Sequence, residues 1–225
     1  MASSNIFQML RERVEKSDGL LPQERRAMLW FQSYRTDLLQ WQNQHRTLTY
    51  NGLSDSTFAK KVVRPKAILP GYLYFFLYFP HYARTLDYYD RFPMTLVLEK
   101  DPEGFLALNF HYLPYQIRAI FFDALYSRHL QSNTDPLRSR IRITYQILSA
   151  VSKYKAFRPC LRRYRYTNCR SAMLQVGETE WDIALFLPVE KFTKATRAEV
   201  WKESMHGLRT LGNGDNDDTA AGEDE

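Results

Sequence analysis

Cysteine is scarce in this chain: Cys160 and Cys169 are the only two among 225 residues. A disulfide framework needs more, and a zinc site would need two further ligands that the neighbouring sequence does not offer. The pair reads as two ordinary thiols, although their basic neighbours would lower the thiol pKa if nothing opposed them. Long apolar runs are missing as well. The longest, Tyr72 to Phe79, is far too short to cross a bilayer, so no membrane partner is expected. The opening Met-Ala-Ser-Ser-Asn-Ile-Phe has neither the basic nor the apolar part of a secretory signal, which predicts synthesis in a reducing cytoplasm. The nine glycines are scattered, and none forms a phosphate-cradling loop or a dinucleotide fingerprint. There is no Gly-x-Ser-x-Gly elbow. His45, His81, His111, His129 and His206 are not at metal-pair spacing with one another or with a cysteine. No metal, cofactor or small-molecule substrate is therefore expected, and the chain reads as a binding protein and not as an enzyme.

Aromatic residues and base are what the chain has in excess. A hydrophobic share of 44% and an aromatic share of 15% are enough for a real core, with rings to spare for binding. The formal charge of +6 hides an asymmetry. The tail from Asn213 carries Asp215, Asp217, Asp218, Glu223, Asp224 and Glu225 and no base, so the rest sets 31 basic side chains against 19 acidic ones. A body this basic attracts polyanions, and salt should weaken that attraction steeply. The tail reads as a disordered solubilising segment; the sharper alternative is that it folds back and competes with nucleic acid.

Local patterns predict the elements. Ser4 caps a first helix to about Lys16, and Gly19 ends it. Pro22 starts a second helix to about His45, with Met28, Phe31, Leu38 and Trp41 on its packing stripe. Residues 47–69 read as a basic linker. Strands are expected over Tyr72–Phe79, Pro93–Glu99 and Phe105–Phe110, with a turn at Asp101-Pro102-Glu103-Gly104. Pro114 opens a helix to about Leu130, with Ile117, Phe121 and Leu125 on one face. Ile141 to Val151 suits strand or helix, and Ile183 to Leu187 suits a short buried strand. Thr196-Arg197-Ala198-Glu199 matches a capping box for a last helix. The expected architecture is α+β: a small, strongly twisted antiparallel sheet or SH3-like barrel over residues 70–211, flanked by helices. An N-terminal helical arm, 1–46, precedes it and an acidic tail, 212–225, follows. The barrel is suggested by element order alone and carries no function.

The most informative segment runs from Pro136 to Gly177, which contains no Asp or Glu. It holds Arg138, Arg140, Arg142, Lys153, Lys155, Arg158, Arg162, Arg163, Arg165 and Arg170, interleaved with Tyr145, Tyr154, Phe157, Tyr164 and Tyr166. Arginine forks onto phosphate oxygens, and tyrosine stacks on exposed bases. The expected DNA-binding set is Lys153, Lys155, Arg158, Arg162, Arg163, Arg165 and Arg170 for phosphates, with Tyr164 and Tyr166 as stacking candidates. The plainer reading is a solvated basic face, or arginines paired with acids such as Asp87, Asp90 and Glu99. No helix-turn-helix, zinc-finger or RNA-recognition signature supports base-specific reading.

The carboxylates Asp87, Asp90, Glu99, Asp101 and Glu103 leave a metal-dependent nuclease as a minor alternative. Glu99-Lys100 lacks the residue between acid and lysine that such sites use, so the two side chains would point to opposite faces of a strand. Turn and strand-end solvation explains most of these acids.

Several strings are distinctive together: Tyr88-Tyr89-Asp90-Arg91-Phe92-Pro93, Gly104-Phe105, Asn109-Phe110-His111-Tyr112-Leu113-Pro114, Phe157-Arg158-Pro159-Cys160, and Glu180-Trp181-Asp182-Ile183-Ala184-Leu185-Phe186-Leu187-Pro188. They resemble a family of small virion proteins of T-even-like tailed phages, the DNA end protector or head-completion proteins, over roughly residues 70–205. The N-terminal helices and the tail lie outside that resemblance. It implies a virion protein on the ends of packaged double-stranded DNA that shields them from host exonuclease, with other virion proteins as neighbours. It brings no catalytic residues. A structural neck, tail or baseplate connector without DNA binding is the second reading. Within the matched strings, Tyr88, Tyr89, Phe92, His111 and Tyr112 read first as core and turn residues.

Overall fold

The computed structural model describes residues 22–44, 61–115, 117–119, 121–122, 160–187 and 192–202. The expected first helix, the acidic tail, the ambiguous stretch from Ile141 to Val151, and Lys153, Lys155 and Arg158 lie outside these residues.

The fold is α+β and is centred on a six-stranded antiparallel sheet. Its strands are β1 (Val62–Val63), β2 (Leu73–Phe75), β4 (Met94–Lys100), β5 (Gly104–Asn109), β6 (Leu161–Arg165) and β7 (Met173–Val176), and β3 (Tyr89–Asp90) pairs with β8 (Phe192–Thr193) beside it. The spatial order is β1-β7-β2-β4-β5-β6, so the sheet is open, with β1 and β6 at its edges. No barrel closes.

The run Met94-Thr95-Leu96-Val97-Leu98 is apolar at nearly every position because both faces of the sheet are covered. On one face Leu73, Phe75, Leu96, Leu108 and Leu174 pack with Phe31 and Leu38 of helix α1 (Pro22–Gln44) and with Trp181 and Leu185 of helix α2 (Trp181–Leu185). On the other, Tyr74, Phe76, Tyr78, Val97, Phe105 and Tyr164 form a second, ring-rich cluster.

Helix α1 keeps its expected start at Pro22 and lies on the sheet through Trp30 and Phe31, whose rings both meet Phe75 edge-on at 5.6 Å. Its buried stripe is Ala27, Phe31 and Leu38; Met28, expected there, is 41% exposed. The helix is tied down further by Trp30 Nε1 and Lys61 Nζ, which both donate to Glu180 Oε1, at 3.0 and 2.7 Å.

Three local expectations change. The strand over Tyr72–Phe79 shortens to Leu73–Phe75, because the Leu77 N–H turns to Ser171 Oγ and the Tyr78 N–H to the Arg91 carbonyl. The distal end of the expected linker is built into the sheet as β1, which pairs with β7. Trp181–Leu185 is a helical turn, not a strand: a short buried apolar run carries no period that separates the two. The carbonyls of Leu185 and Leu187 are taken by Arg118 Nη1, at 3.3 and 2.9 Å.

Other signals are realised as read. Asp101 Oδ1 accepts from the backbone N–H of Glu103 and Gly104, at 2.8 and 2.9 Å, and so closes the β4–β5 hairpin. The chain turns helical at 115, where Ile117 is buried and Phe121 half-buried. Thr196 and Glu199 bond reciprocally, with Thr196 N to Glu199 Oε2 at 2.7 Å and Glu199 N to Thr196 Oγ1 at 3.3 Å. No helix among the described residues is long and apolar enough to cross a membrane.

Candidate nucleic-acid interface

The basic segment enters the described structure as β6, an edge strand that the sequence does not announce. It forms because β5 offers a ladder from Gly104, opposite Arg165, to Leu108, opposite Leu161. Gly104 permits the approach: a Cβ there would sit 2.1 Å from the Tyr164 carbonyl oxygen. Strand alternation then divides the side chains, with Arg162 and Tyr164 on one face and Leu161, Arg163 and Arg165 on the other.

The two tyrosines expected to stack on bases both lie against the core in this fold. Tyr164 is 5% exposed. It stacks on Phe105 at 5.2 Å, takes the edges of Phe76 and Tyr78, and its hydroxyl accepts from Asn109 Nδ2 at 3.1 Å. Burial pushes its pKa well up. Tyr166 follows the strand into a tight turn and tilts against Phe105 at 5.8 Å, 9% exposed. Neither offers a free ring face in this fold.

The arginines stay outside. Arg163 and Arg165 are exposed and reach back to the hairpin turn, Arg163 to Asp101 at 2.7 Å and Arg165 to Glu103 at 3.6 Å. Burial raises the Asp101 carboxyl, but the Glu103 and Gly104 N–H groups and the Arg163 guanidinium outweigh it and hold the pKa below the usual value. Arg162 lies over the Tyr112 ring at 4.5 Å, and its buried Nε has no hydrogen-bond partner. Arg170 is exposed and does not line the cleft described next.

Beside β6 opens a cleft of about 580 Å³. Arg162, Arg163 and Arg165 border it, and Tyr78, Tyr82, Tyr88, Tyr89 and Tyr112 supply ring walls. Tyr82 is 66% exposed and meets the His81 ring edge-on at 4.7 Å. His81 and Tyr82 did not stand out in the sequence. The available signal was an aromatic pair straight after Pro80, where a strand has ended and the chain turns at the surface.

The floor of the cleft is a buried polar network. Asp90 Oδ2 meets His111 Nδ1 at 2.7 Å and Asn109 Nδ2 at 3.3 Å, and Asp90 Oδ1 accepts from the Phe92 N–H at 2.9 Å. His111 is fully buried, and burial pulls its pKa below the ordinary imidazole value; Asp90 opposes that and Arg118 adds to it. His111 is therefore a neutral structural donor, in line with its sequence reading. Arg118 is also fully buried, with Nε on the Leu113 carbonyl at 2.8 Å, and burial lowers its pKa to about 10. Among the described residues no group of three or more His, Cys, Asp or Glu side chains could hold a metal ion. Asp90, one of the carboxylates behind the nuclease alternative, is committed to its hydrogen bonds. At Cys169 burial outweighs Arg170 and pushes the thiol pKa up to about 12.

Fold and site together define a basic α+β protein with an arginine-bearing edge strand set along an aromatic cleft. A family model described as phage T4 terminal DNA protecting protein matches residues 9–204, and the chain belongs to that family. The match takes in α1, which the strings noted above left outside. No curated protein matches the chain, and no solved structure matches it.

Proposed function

We propose that this protein binds the ends of the linear double-stranded DNA packaged in a phage particle and shields them from host exonuclease, acting as part of head completion. It acts by binding, not catalysis, and would travel in the virion after synthesis in the host cytoplasm. The observation that carries this reading is the row Arg162, Arg163 and Arg165 on an edge strand bordering an aromatic cleft. Each arginine can fork onto a phosphate, and each phosphate neutralised releases condensed counterion. Family membership supports the choice of DNA as the polyanion. Arg158, Lys153, Lys155 and Arg170 would extend the track.

The test compares a blunt linear duplex with the same DNA as a closed circle, across a salt series, with exonuclease added afterwards. Salt-sensitive binding that prefers the linear form and blocks digestion is expected. Equal affinity for both forms removes the end-specific part of the proposal.

One observation favours docking to another virion protein as a second role. Met28 and Leu29 on α1 are 41% and 60% exposed side by side, away from the helix's buried stripe. Stable capture by a particle component, without DNA affinity at moderate salt, would make that the main role.

A further inference from the structure

An end differs from the interior of a duplex in two ways. Its last base pair has one face without a neighbour, and its last nucleotide can leave the pair at the loss of a single stack. A protein that selects ends without reading sequence must exploit one of these. The cleft beside β6 has the dimensions for the second. At about 580 Å³ it falls in the roughly 300–1,000 Å³ range of small-molecule sites, enough for one nucleotide and too small for a duplex.

Resting on the end-binding reading above, we propose that the cleft receives the terminal nucleotide of one DNA strand, frayed from its partner. The base would lie against the exposed ring of Tyr82, and the phosphate against an arginine of β6 that borders the cleft.

Charge and chemistry agree with this occupant. Two acids line the cleft, Asp90 and Glu103, against three arginines. Asp90 is 5% exposed and its oxygens accept from the Phe92 N–H, Asn109 and His111, which already answer its charge. Glu103 is drawn toward Arg165 at 3.6 Å. Arg162 lies over Tyr112 with its guanidinium carbon 4.5 Å from the ring centroid, a contact that positions it before any phosphate arrives. Tyr82 exposes a ring, at a turn where solvation would favour a polar side chain, and an aromatic face there stacks on any base. The cleft therefore rewards a nucleotide that can leave the helix cheaply, which at a duplex end is the terminal one.

The experiment uses the full chain and three DNAs of one sequence: a blunt linear duplex, the same duplex with its terminal base pairs covalently cross-linked, and a closed circle. Cross-linking leaves the phosphates and the exposed base-pair face but prevents fraying. The expected result is a loss of about tenfold or more on cross-linking, the size of one lost base stack, down toward the affinity of the circle. Tyr82→Ala, at an exposed position, and Leu86→Trp, at a residue that lines the cleft, should each abolish the difference between free and cross-linked ends. Equal binding of free and cross-linked ends, both above the circle, overturns the cleft proposal and leaves end protection standing. Equal binding of all three DNAs overturns end recognition itself.

Discussion

Arg162 lies with its guanidinium carbon 4.5 Å from the centroid of the Tyr112 ring, while its neighbour Arg163 is paired to Asp101 at 2.7 Å. Adjacent arginines on one strand are thus prepared differently. A ring face lies beneath the first, whereas the second must exchange a carboxylate for a phosphate. The cost of giving up the carboxylate is small where the pair is exposed, because such pairs contribute only about 0–1 kcal/mol.

Neutralising the edge strand tests the phosphate track. The triple variant Arg162→Gln, Arg163→Gln, Arg165→Gln should bind linear DNA more weakly and flatten the plot of log K against log salt by about 2–3, near 0.9 per phosphate contact. Fluorescence anisotropy across a salt series measures both. An unchanged affinity and slope would remove β6 from the interface.

Glu103→Gln should act in the opposite direction. Glu103 is 69% exposed at its side chain, so its loss leaves the fold intact and frees Arg165. DNA affinity at low salt should rise about two- to fivefold, the scale of one exposed ion pair, and the gain should vanish at high salt. Weaker binding would mean that Glu103 positions Arg165 and does not compete for it.

The buried imidazole predicts how stability responds to acid. The folded pKa of His111 lies below the unfolded value near 6.5, so between the two the unfolded chain binds a proton that the folded chain does not. Stability is full above about pH 6.5 and falls as pH drops through the window below it, by at most about 1.4 kcal/mol per pH unit. Thermal melts at pH 7.5 and 5.5 should show this fall in the parent protein. His111→Gln should be less stable at pH 7.5 but lose that part of the acid sensitivity. An identical pH response in both would show that folding does not shift the His111 pKa, and a parent that gains stability on acidification would show a true ion pair with Asp90.

Gly104→Ala should damage the interface from beneath. A Cβ at 2.1 Å from the Tyr164 carbonyl oxygen meets backbone, which cannot rotate away. Part of the β5–β6 ladder must separate, at a cost of about 1–3 kcal/mol seen as a lower denaturant midpoint. DNA affinity should fall with it, since β6 carries the arginines. A wild-type midpoint would mean that β6 can slide without loss.

Much of this protein is legible from short-range chemistry. Pro22 can start a helix because the N–H it lacks is one the first turn leaves unpaired, Asp101 can close its turn on the next two N–H groups, and Thr196 can exchange bonds with Glu199 one turn on. Each needs only neighbours in the chain. The acid-free stretch likewise declares a basic surface wherever it folds, because no local carboxylate can neutralise it.

Orientation belongs to the tertiary structure. Whether Tyr164 or Arg163 faces the core depends on the register of β6 against β5, and a shift of one residue would reverse every side chain. That register rests on a glycine far earlier in the chain. The carboxylates that answer Arg163 and Arg165, the ring beneath Arg162, and the exposed Tyr82 across the cleft also come from distant segments. Residue types alone show that arginines and rings are present. Only long-range pairing decides which rings are spent on the core and which arginines remain for a ligand.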